Sequence, residues 1–461
     1  MMDTETAASA IAATLRGRNA WFRDVATDSR TLKPGDLFVA LSGEHFDGHD
    51  YVAQAFERGA VAAIVATDRA GTLAGNLLAV ADPLRALGAL ALFWRRRFSL
   101  PVAAIVGSNG KTTVKEMTAA ILRAQFTDGD VLATSGNLNN AIGLPLTVLG
   151  LRAAHRAAVI EIGMNHAGET AELAAIAQPT IGLVNNAQRE HQEFMKSVAD
   201  VAVEHAALLN ALPDRGVAVI NADDDYAMFW RDVISRRSAD GAMLTVRDFG
   251  LRAPAAVRAR YRVEAWGAVV DVAAPEGSVT LELKAPGRHN VANALGAIAT
   301  GTAAGASLAA AAAGIAAFRP LEGRLRATTL ASGATVIDDT YNANPDSLRA
   351  AIAVLVRSPA PRWLVLGDMG EVGDQGVAFH SEVGDYARAA GIERLFSVGK
   401  LARHAAAAFG PGAEHFAEVD ALTDAVRAAL APGMTVLVKG SRFMRMERVV
   451  AALTGAAAEM H

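Results

Sequence analysis

The sequence predicts an α/β protein of three domains, each built on strands that alternate with helices. Short apolar runs rich in valine, isoleucine and alanine recur along the chain, and most are followed by stretches of helical periodicity. Such alternation builds parallel sheets with helices on both faces, because a parallel crossover needs a long return segment. The length of 461 residues fits about three domains on a prior of roughly 150 residues each.

In the first hundred residues the apolar runs are LFVAL (37–41), AAIVA (62–66) and LLAV (77–80). The next set is VAAIVG (102–107), VLAT (131–134), AAVIEIG (157–163), IGLVNN (181–186) and GVAVINAD (216–223). A more β-rich patch covers 243–284, where TLELK alternates apolar and polar residues as a half-buried strand does. The last set is TVIDD (335–339), RWLVLGD (362–368), RLFSVG (394–399) and MTVLVKG (434–440).

Two interruptions suggest boundaries. One follows the basic stretch Arg95-Arg96-Arg97, near Phe98-Ser99-Leu100-Pro101. The other is the Pro/Gly turn at Arg319-Pro320-Leu321-Glu322-Gly323-Arg324. The expected division is a small N-terminal α/β domain (1–98), a central phosphate-loop domain with a parallel-type sheet (99–325) and a C-terminal doubly wound, Rossmann-like domain (326–461). Residues 291–318 carry no charge and could be mistaken for a membrane span. They are mostly Ala, Gly, Thr and Ser, however, and Ser307 has the character of an N-cap. Two packed alanine-rich helices are expected there.

Composition narrows the function. A formal net charge of −4 argues against a general nucleic-acid or membrane-surface binder. The absence of cysteine removes disulfides, thiolate chemistry and Cys-ligated zinc, and fits a reducing compartment. The opening MMDTETAASAIAATLRGR lacks the basic start and apolar core of a signal peptide. A cytoplasmic protein without membrane insertion or nucleic-acid partner is expected.

The chemistry is carried by VAAIVGSNGKTTVKEMTAAIL (102–122). An apolar strand enters Gly107, Ser108, Asn109, Gly110, Lys111, Thr112 and Thr113, and a helix with Met117, Ile121 and Leu122 on one face follows. Glycines let backbone N–H groups turn toward an anion at a helix N-terminus. Lys111 supplies charge for the β- and γ-phosphates, and Thr112 a hydroxyl for Mg²⁺. ATP with Mg²⁺ is the expected ligand. The loop is a shortened variant, GxxGKTT, because Ile105 stands where the common loop has its first glycine.

Ligands of parallel sheets bind beyond the carboxyl ends of the strands. Glu161 and His191 both follow strand ends; Glu161 is a natural Mg²⁺ ligand, and a phosphate site beside it favours a functional His191. Asn137 and Asn140 lie in a polar loop after another strand. Asn290 and Asn293 open a helix, where capping is an equally good reading. Asp339, Asn342 and Asn344, with Asp368 and the segment Lys439-Gly440-Ser441-Arg442, outline a second polar rim in the last domain. Two facing rims suggest a site closed by domain movement.

Taken together, GSNGKTT, EIGMNH, GRHNVANA and EGR resemble the Mur ligase family, ATP-dependent amide-forming enzymes of peptidoglycan precursor synthesis. The pattern TDSR-x-L-x-PGDLFVAL-x-GE-x-FDGHD, then TSGNLNNAIGLP, DDTYNANPDS, LGDMGEVG with a following His380, and LVKGSR carry the resemblance in order from Thr27 to Arg442. It implies a monomeric enzyme that joins D-alanyl-D-alanine to UDP-N-acetylmuramoyl-tripeptide. The tripeptide carboxylate would attack the γ-phosphate of ATP, and the dipeptide amine would then displace phosphate from the acyl phosphate. Lys111, Arg324, and Mg²⁺ on Thr112, Glu161 and His191 would offset the repulsion between carboxylate and polyphosphate.

The same resemblance places Asn290 and Asn293 near the adenine and Asp339 near the ribose. It places Asp28, Ser29 and Arg30 at the uridine diphosphate end, and Asn342, Asn344 and Asp368 on the dipeptide side. Alternatives are the related ligase that adds the third amino acid and a non-catalytic ATP-dependent switch protein. One position departs from the family. Where many members carry a carbamylated lysine after the metal histidine, this chain has His205, and Lys196 is the only lysine nearby. His205 is expected either to replace that ligand or merely to pack on the helix after His191.

Overall fold

Three sheets organise the chain in a computed structural model, which describes residues 1–44, 46–241 and 243–455. The α/β class with parallel sheets is borne out. The first sheet runs Thr14–Arg16, Leu77–Val80, Ala62–Ala66, Leu37–Val39, Val25–Ala26, parallel except at the Thr14–Arg16 edge. The third runs Arg326–Thr329, Thr335–Asp339, Thr435–Lys439, Arg362–Leu366, Arg394–Val398, Ala413–Phe416, antiparallel only in its first pair.

The central sheet positions the chemistry. From one edge it runs Val131–Ala133, Ala157–Glu161, Val102–Val106, Ile181–Val184, Val217–Asn221, Thr245–Gly250, Val257–Glu264. These seven are parallel, and Gly267–Ala274 and Gly277–Leu283 then add two antiparallel strands. Val102–Val106 is buried along its whole length, which explains its unbroken apolar run. The antiparallel end is half exposed, which explains the alternating pattern there.

The uncharged stretch forms the helices Arg288–Ala303 and Leu308–Ala317, with Ser307 Oγ accepting from Ala310 N as the cap. Their small residues have a packing reason. A Cβ on Gly314 would lie 2.5 Å from Ile121 Cα in the helix Lys111–Gln125. Among the described residues no helix is long and apolar enough to cross a membrane.

Several strands escape the sequence reading: Met2–Asp3, Thr14–Arg16, Trp21–Phe22, Val25–Ala26, Arg326–Thr329 and Ala413–Phe416. They are short, and the edge strand Arg326–Thr329 is exposed throughout, so no apolar pattern marks it.

The expected boundary at residue 98 crosses a continuous core. The helix Pro83–Arg95 links the first sheet to the helices Gly143–Leu149 and Glu169–Ala177 of the second, with Leu87 and Leu90 fully buried. Trp94 Nε1 donates to Leu151 O at 3.0 Å. The buried Arg95 donates to three carbonyls: Ala177 at 2.9 Å, Gln178 at 2.9 Å and Phe98 at 2.7 Å. Arg95→Met leaves those oxygens without their donor, so it is expected to lower unfolding free energy by about 2–4 kcal/mol in urea titrations. A change below about 0.5 kcal/mol, the level of an ordinary surface substitution, would contradict this account.

Candidate active site

The phosphate loop begins where Val102–Val106 ends. Gly107 has φ +146 and Gly110 φ +83, and neither position has room for a side chain. A Cβ on Gly107 would lie 2.9 Å from Asn185 Cβ, and one on Gly110 would lie 2.6 Å from Asn293 Oδ1. The loop is pinned from the neighbouring strand end. Asn109 N donates to Asn186 Oδ1, and Asn109 O accepts from Asn185 Nδ2 and Asn186 Nδ2, each at 2.8 Å. Ser108 Oγ accepts from Gln188 N at 2.8 Å. Gly110 caps the helix Lys111–Gln125, whose first N–H groups face the loop as an anion site requires.

Lys111 is the first residue of that helix rather than a loop residue. Its Nζ donates to Gly107 O at 2.5 Å and lies 3.2 Å from Glu190 Oε2. Glu190, which the sequence reading passed over, is buried. Burial opposes its charge, but Lys111, His205 and His191 outweigh burial and hold its carboxyl at about 2. His191 Nε2 is 3.7 Å from Glu190 Oε2, and His191 Nδ1 is 2.7 Å from Glu371 Oε2. Hydrogen bonding to His191 keeps the Glu371 carboxyl below its usual range, despite partial burial. His191 and Glu371 both adopt left-handed backbone, at φ +49 and +57, unusual for residues with a side chain.

On the other side of the loop, Glu161 ends its strand with Oε1 accepting from Asn139 Nδ2 at 2.7 Å. Its Oε2 is buried without a hydrogen-bond partner. Arg324 reaches across to donate from Nη2 to Thr112 Oγ1 at 3.0 Å, and its guanidinium stacks 4.1 Å from the Tyr341 ring. Lys439, buried, pairs with Asp339 Oδ2 at 2.5 Å.

These groups line one cavity of about 790 Å³ between the central and last sheets. Of the residues singled out in the sequence, it brings together Ser108, Asn109, Gly110, Lys111, Thr112, Thr113, Asn137, Asn140, Glu161, His191, Asn290, Asn293, Arg324, Asp339, Asn342 and Asn344. Several have structural partners as well. Asn140 Oδ1 accepts from Ile142 N and Gly143 N, and Asn290 Nδ2 donates to Pro286 O. Asn344 caps the helix Pro345–Leu355 and donates to Asn109 Oδ1 at 3.0 Å.

The two rims already touch. Arg189 bridges Asp346 at 2.6 Å and Glu382 at 2.7 Å.

Other residues singled out in the sequence lie outside the lining, among them Gly107 at the base of the loop. Asp368 is buried away from the cavity, and its carboxylate accepts from the backbone N–H groups of Lys400, Leu401 and Ala402, anchoring the helix Ala402–Phe409. Asp368 thus does not line this cavity, and its carboxylate is engaged by the backbone. Asp28 and Arg30 pair at 2.8 Å on the N-terminal sheet's side, while the buried Ser29 donates to Gln54 Oε1 at 2.7 Å. None of these three lines the cavity. His205 sits behind Glu190, outside the cavity lining, so it does not stand in the cavity as a ligand. Lys196 is exposed and also outside it.

Sequence profiles match in the same order. The Mur ligase family catalytic domain covers residues 22–80, the Mur ligase middle domain 105–301, and the Mur ligase glutamate ligase domain 323–442. The UDP-N-acetylmuramoyl-tripeptide–D-alanyl-D-alanine ligase of Escherichia coli K12 is 42% identical over 441 residues, 95% of each chain. The chain belongs to the Mur ligase family. A Bacillus subtilis ligase of the same name is 34% identical over 92% of each chain. The MurF structure from Acinetobacter baumannii superposes with TM-score 0.89 at 31% identity, covering 99% of both chains. The MurF ligase of Thermotoga maritima, solved with ADP, shares the Mur ligase fold at TM-score 0.80 and 24% identity, covering 94% of this chain and 97% of that one.

His289, in the cavity wall, gives a pH test. Burial pushes its imidazole down to about 4; Asp339 opposes that shift and Lys439 adds to it. The unfolded chain takes up the proton near its ordinary value of about 6.5, before the folded protein does. Stability should therefore be full above pH about 6.5 and decline as pH falls toward the folded value. Chemical denaturation from pH 7 to 4 is expected to show a shallower decline in His289→Gln than in the parent. Equal slopes would contradict the burial-driven shift.

Proposed function

We propose that this protein joins D-alanyl-D-alanine to UDP-N-acetylmuramoyl-tripeptide at the expense of ATP, completing the UDP-muramoyl-pentapeptide in the cytoplasm. The observation that carries the reading is the end-to-end similarity to ligases of that name, 95% of both chains at 42% identity in the Escherichia coli case. The cavity supports it with a phosphate loop on one wall and an arginine from the last domain's edge on the other.

The chemical problem is that a carboxylate must approach a polyphosphate. The N–H groups at the start of Lys111–Gln125 receive phosphate oxygens, and Lys111 and Arg324 supply fixed positive charge around them. Mg²⁺ fits the donor set, because Glu161 Oε2 is buried without a hydrogen-bond partner, the Thr112 hydroxyl lines the same cavity, and both are hard oxygens. Among the described residues no group of three or more His, Asp and Glu side chains is arranged to hold a metal, so these few oxygens would share it with phosphate. It would neutralise phosphate charge there.

Asn290 and Asn293, on the helix behind Gly110, are proposed for the base, and Asp339, held by Lys439, for the ribose. Asn342 and Asn344 present the last domain's rim to the incoming dipeptide, and Asn137 and Asn140 face the tripeptide side. Asp28, Ser29 and Arg30 are proposed for the uridine diphosphate. Closure is maintained by Arg189 with Asp346 and Glu382.

Product mass after incubation with ATP, the UDP-sugar tripeptide and candidate amines decides the substrate. The expected product carries the D-alanyl-D-alanine increment. An increment of a single diamino acid on a dipeptide acceptor would favour the related ligase instead. A switch protein would release no phosphate in response to D-alanyl-D-alanine.

Lys111→Ala is expected to lower turnover by two or more orders of magnitude, about 3 kcal/mol or more by comparison with loss of a transition-state-stabilising donor. Near-normal turnover would sink the phosphate-loop assignment. With ATP and the UDP-sugar tripeptide alone, borohydride should trap the acyl phosphate as the corresponding alcohol. Full activity without any trapped species would favour a concerted route.

A further inference from the structure

Glu371 has no part in the chemistry derived above, and its surroundings set it apart. The last domain brings three acids to the cavity lining, Asp339, Asp346 and Glu371. Asp339 is paired with Lys439 and Asp346 with Arg189, whereas Glu371 has no lysine or arginine partner among the described residues. Its ionic neighbour is His191, with Nδ1 2.7 Å from Oε2, and its side chain is 45% exposed. The backbone holds Glu371 there at φ +57, a conformation that costs energy for a residue with a side chain. Glycine would take that turn without strain, so the strain points to a use for the carboxylate.

The loop that carries Glu371 is anchored on both sides of it. Gly370 N donates to Ser441 Oγ at 2.8 Å, and Ser441 Oγ donates to Ala343 O at 3.1 Å. Ser441 thus ties this loop to Asn342-Ala343-Asn344, the rim proposed above for the dipeptide. From the central domain, Glu193 N donates to Glu371 O at 3.1 Å. The incoming dipeptide offers an ammonium, two methyl groups and a carboxylate. Ala343, Ala350, Val372 and Phe379 line the same cavity and suit the methyl groups. A carboxylate with no lysine or arginine of its own suits the ammonium, through a charge-assisted hydrogen bond. The position also suits the attack. His191 stands between Glu371 and Glu190, with Nε2 3.7 Å from the Glu190 oxygen that faces Lys111. An amine held at Glu371 is therefore separated from the Lys111–Glu190 pair by one imidazole, on the last domain's side.

We propose that Glu371 is the specificity-determining residue for the amino group of the incoming dipeptide. Its carboxylate receives the ammonium and holds the nitrogen on the last domain's side of the cavity. No bond to Glu371 forms; the contact recognises and orients. The inference rests on the ligase reading for the identity of the amine.

The measurement is calorimetric binding to the full chain, with a non-hydrolysable ATP analogue and the UDP-sugar tripeptide present. The two ligands compared are D-alanyl-D-alanine and propanoyl-D-alanine, which has the same shape without the amino group. The parent is expected to bind D-alanyl-D-alanine about tenfold more tightly or better, the worth of a hydrogen bond to a charged group. Glu371→Gln, which can still accept from His191, should remove that preference by weakening D-alanyl-D-alanine alone. In turnover it should raise the KM for D-alanyl-D-alanine and leave the KM for ATP unchanged. Glu371→Gly suits the left-handed backbone, so it should fold at least as well as the parent and lose the preference too. Equal affinities for the two ligands in the parent, or a preference that survives in either variant, overturn the proposal. So does a change confined to the tripeptide KM or to the Mg²⁺ requirement, which would make Glu371 a partner of the tripeptide or a support for His191. A parent that makes no product from D-alanyl-D-alanine overturns the ligase reading itself, whereas product formation with the preference intact in Glu371→Gln overturns this inference alone.

Discussion

The strand Val102–Val106 is buried between Ala157–Glu161 and Ile181–Val184, and the place where it ends fixes the rest of the site. Its backbone must turn in a space already filled by Asn185 and Asn293, so two glycines with positive φ are required there. The turn exposes a helix N-terminus. Because all neighbouring strands are parallel, their carboxyl ends arrive at the same level and deliver Glu161 on one side and Asn185 and Asn186 on the other. The anion site is thus a consequence of sheet topology, and the side chains refine it.

Legibility from sequence follows the range of the interaction. The phosphate loop was readable because its requirements are local: strand, glycines, lysine and helix are consecutive. The long interior strands were readable because burial on both faces demands unbroken apolar runs. Glu190 was not readable, since a carboxylate in a polar loop looks like any solvated acid until Lys111 and His205 come to it from elsewhere in the chain. Asp368 is the complementary case. Like Glu161 it follows a strand, but the start of the helix Ala402–Phe409 claims both of its oxygens. Glu161 keeps one oxygen unclaimed. Nothing local in the two sequences separates these cases; the neighbouring element does.

The two faces of the cavity use the same device with different backbone anchoring. In each, a lysine is paired with a buried acid: Lys111 with Glu190 in a loop, and Lys439 with Asp339 at a strand end. Lys439 also donates to Asn342 O at 2.9 Å, and Asp339 Oδ1 accepts from Leu325 N, so that pair is tied to the backbone on both sides. Glu190 has no backbone donor of this kind and is faced only by the side chains of Lys111, His191 and His205 among the described residues.

That difference explains how Arg324 reaches the phosphate loop from outside the central sheet. Leu325 adopts φ +55, a conformation that costs energy for a branched residue and needs support from its surroundings. The support is the hydrogen bond to Asp339, which Lys439 holds in place. With Leu325 so turned, Arg324 lies against Tyr341 and its guanidinium meets Thr112. A salt bridge in the last domain therefore supports the turn that brings the Arg324 guanidinium to the phosphate loop.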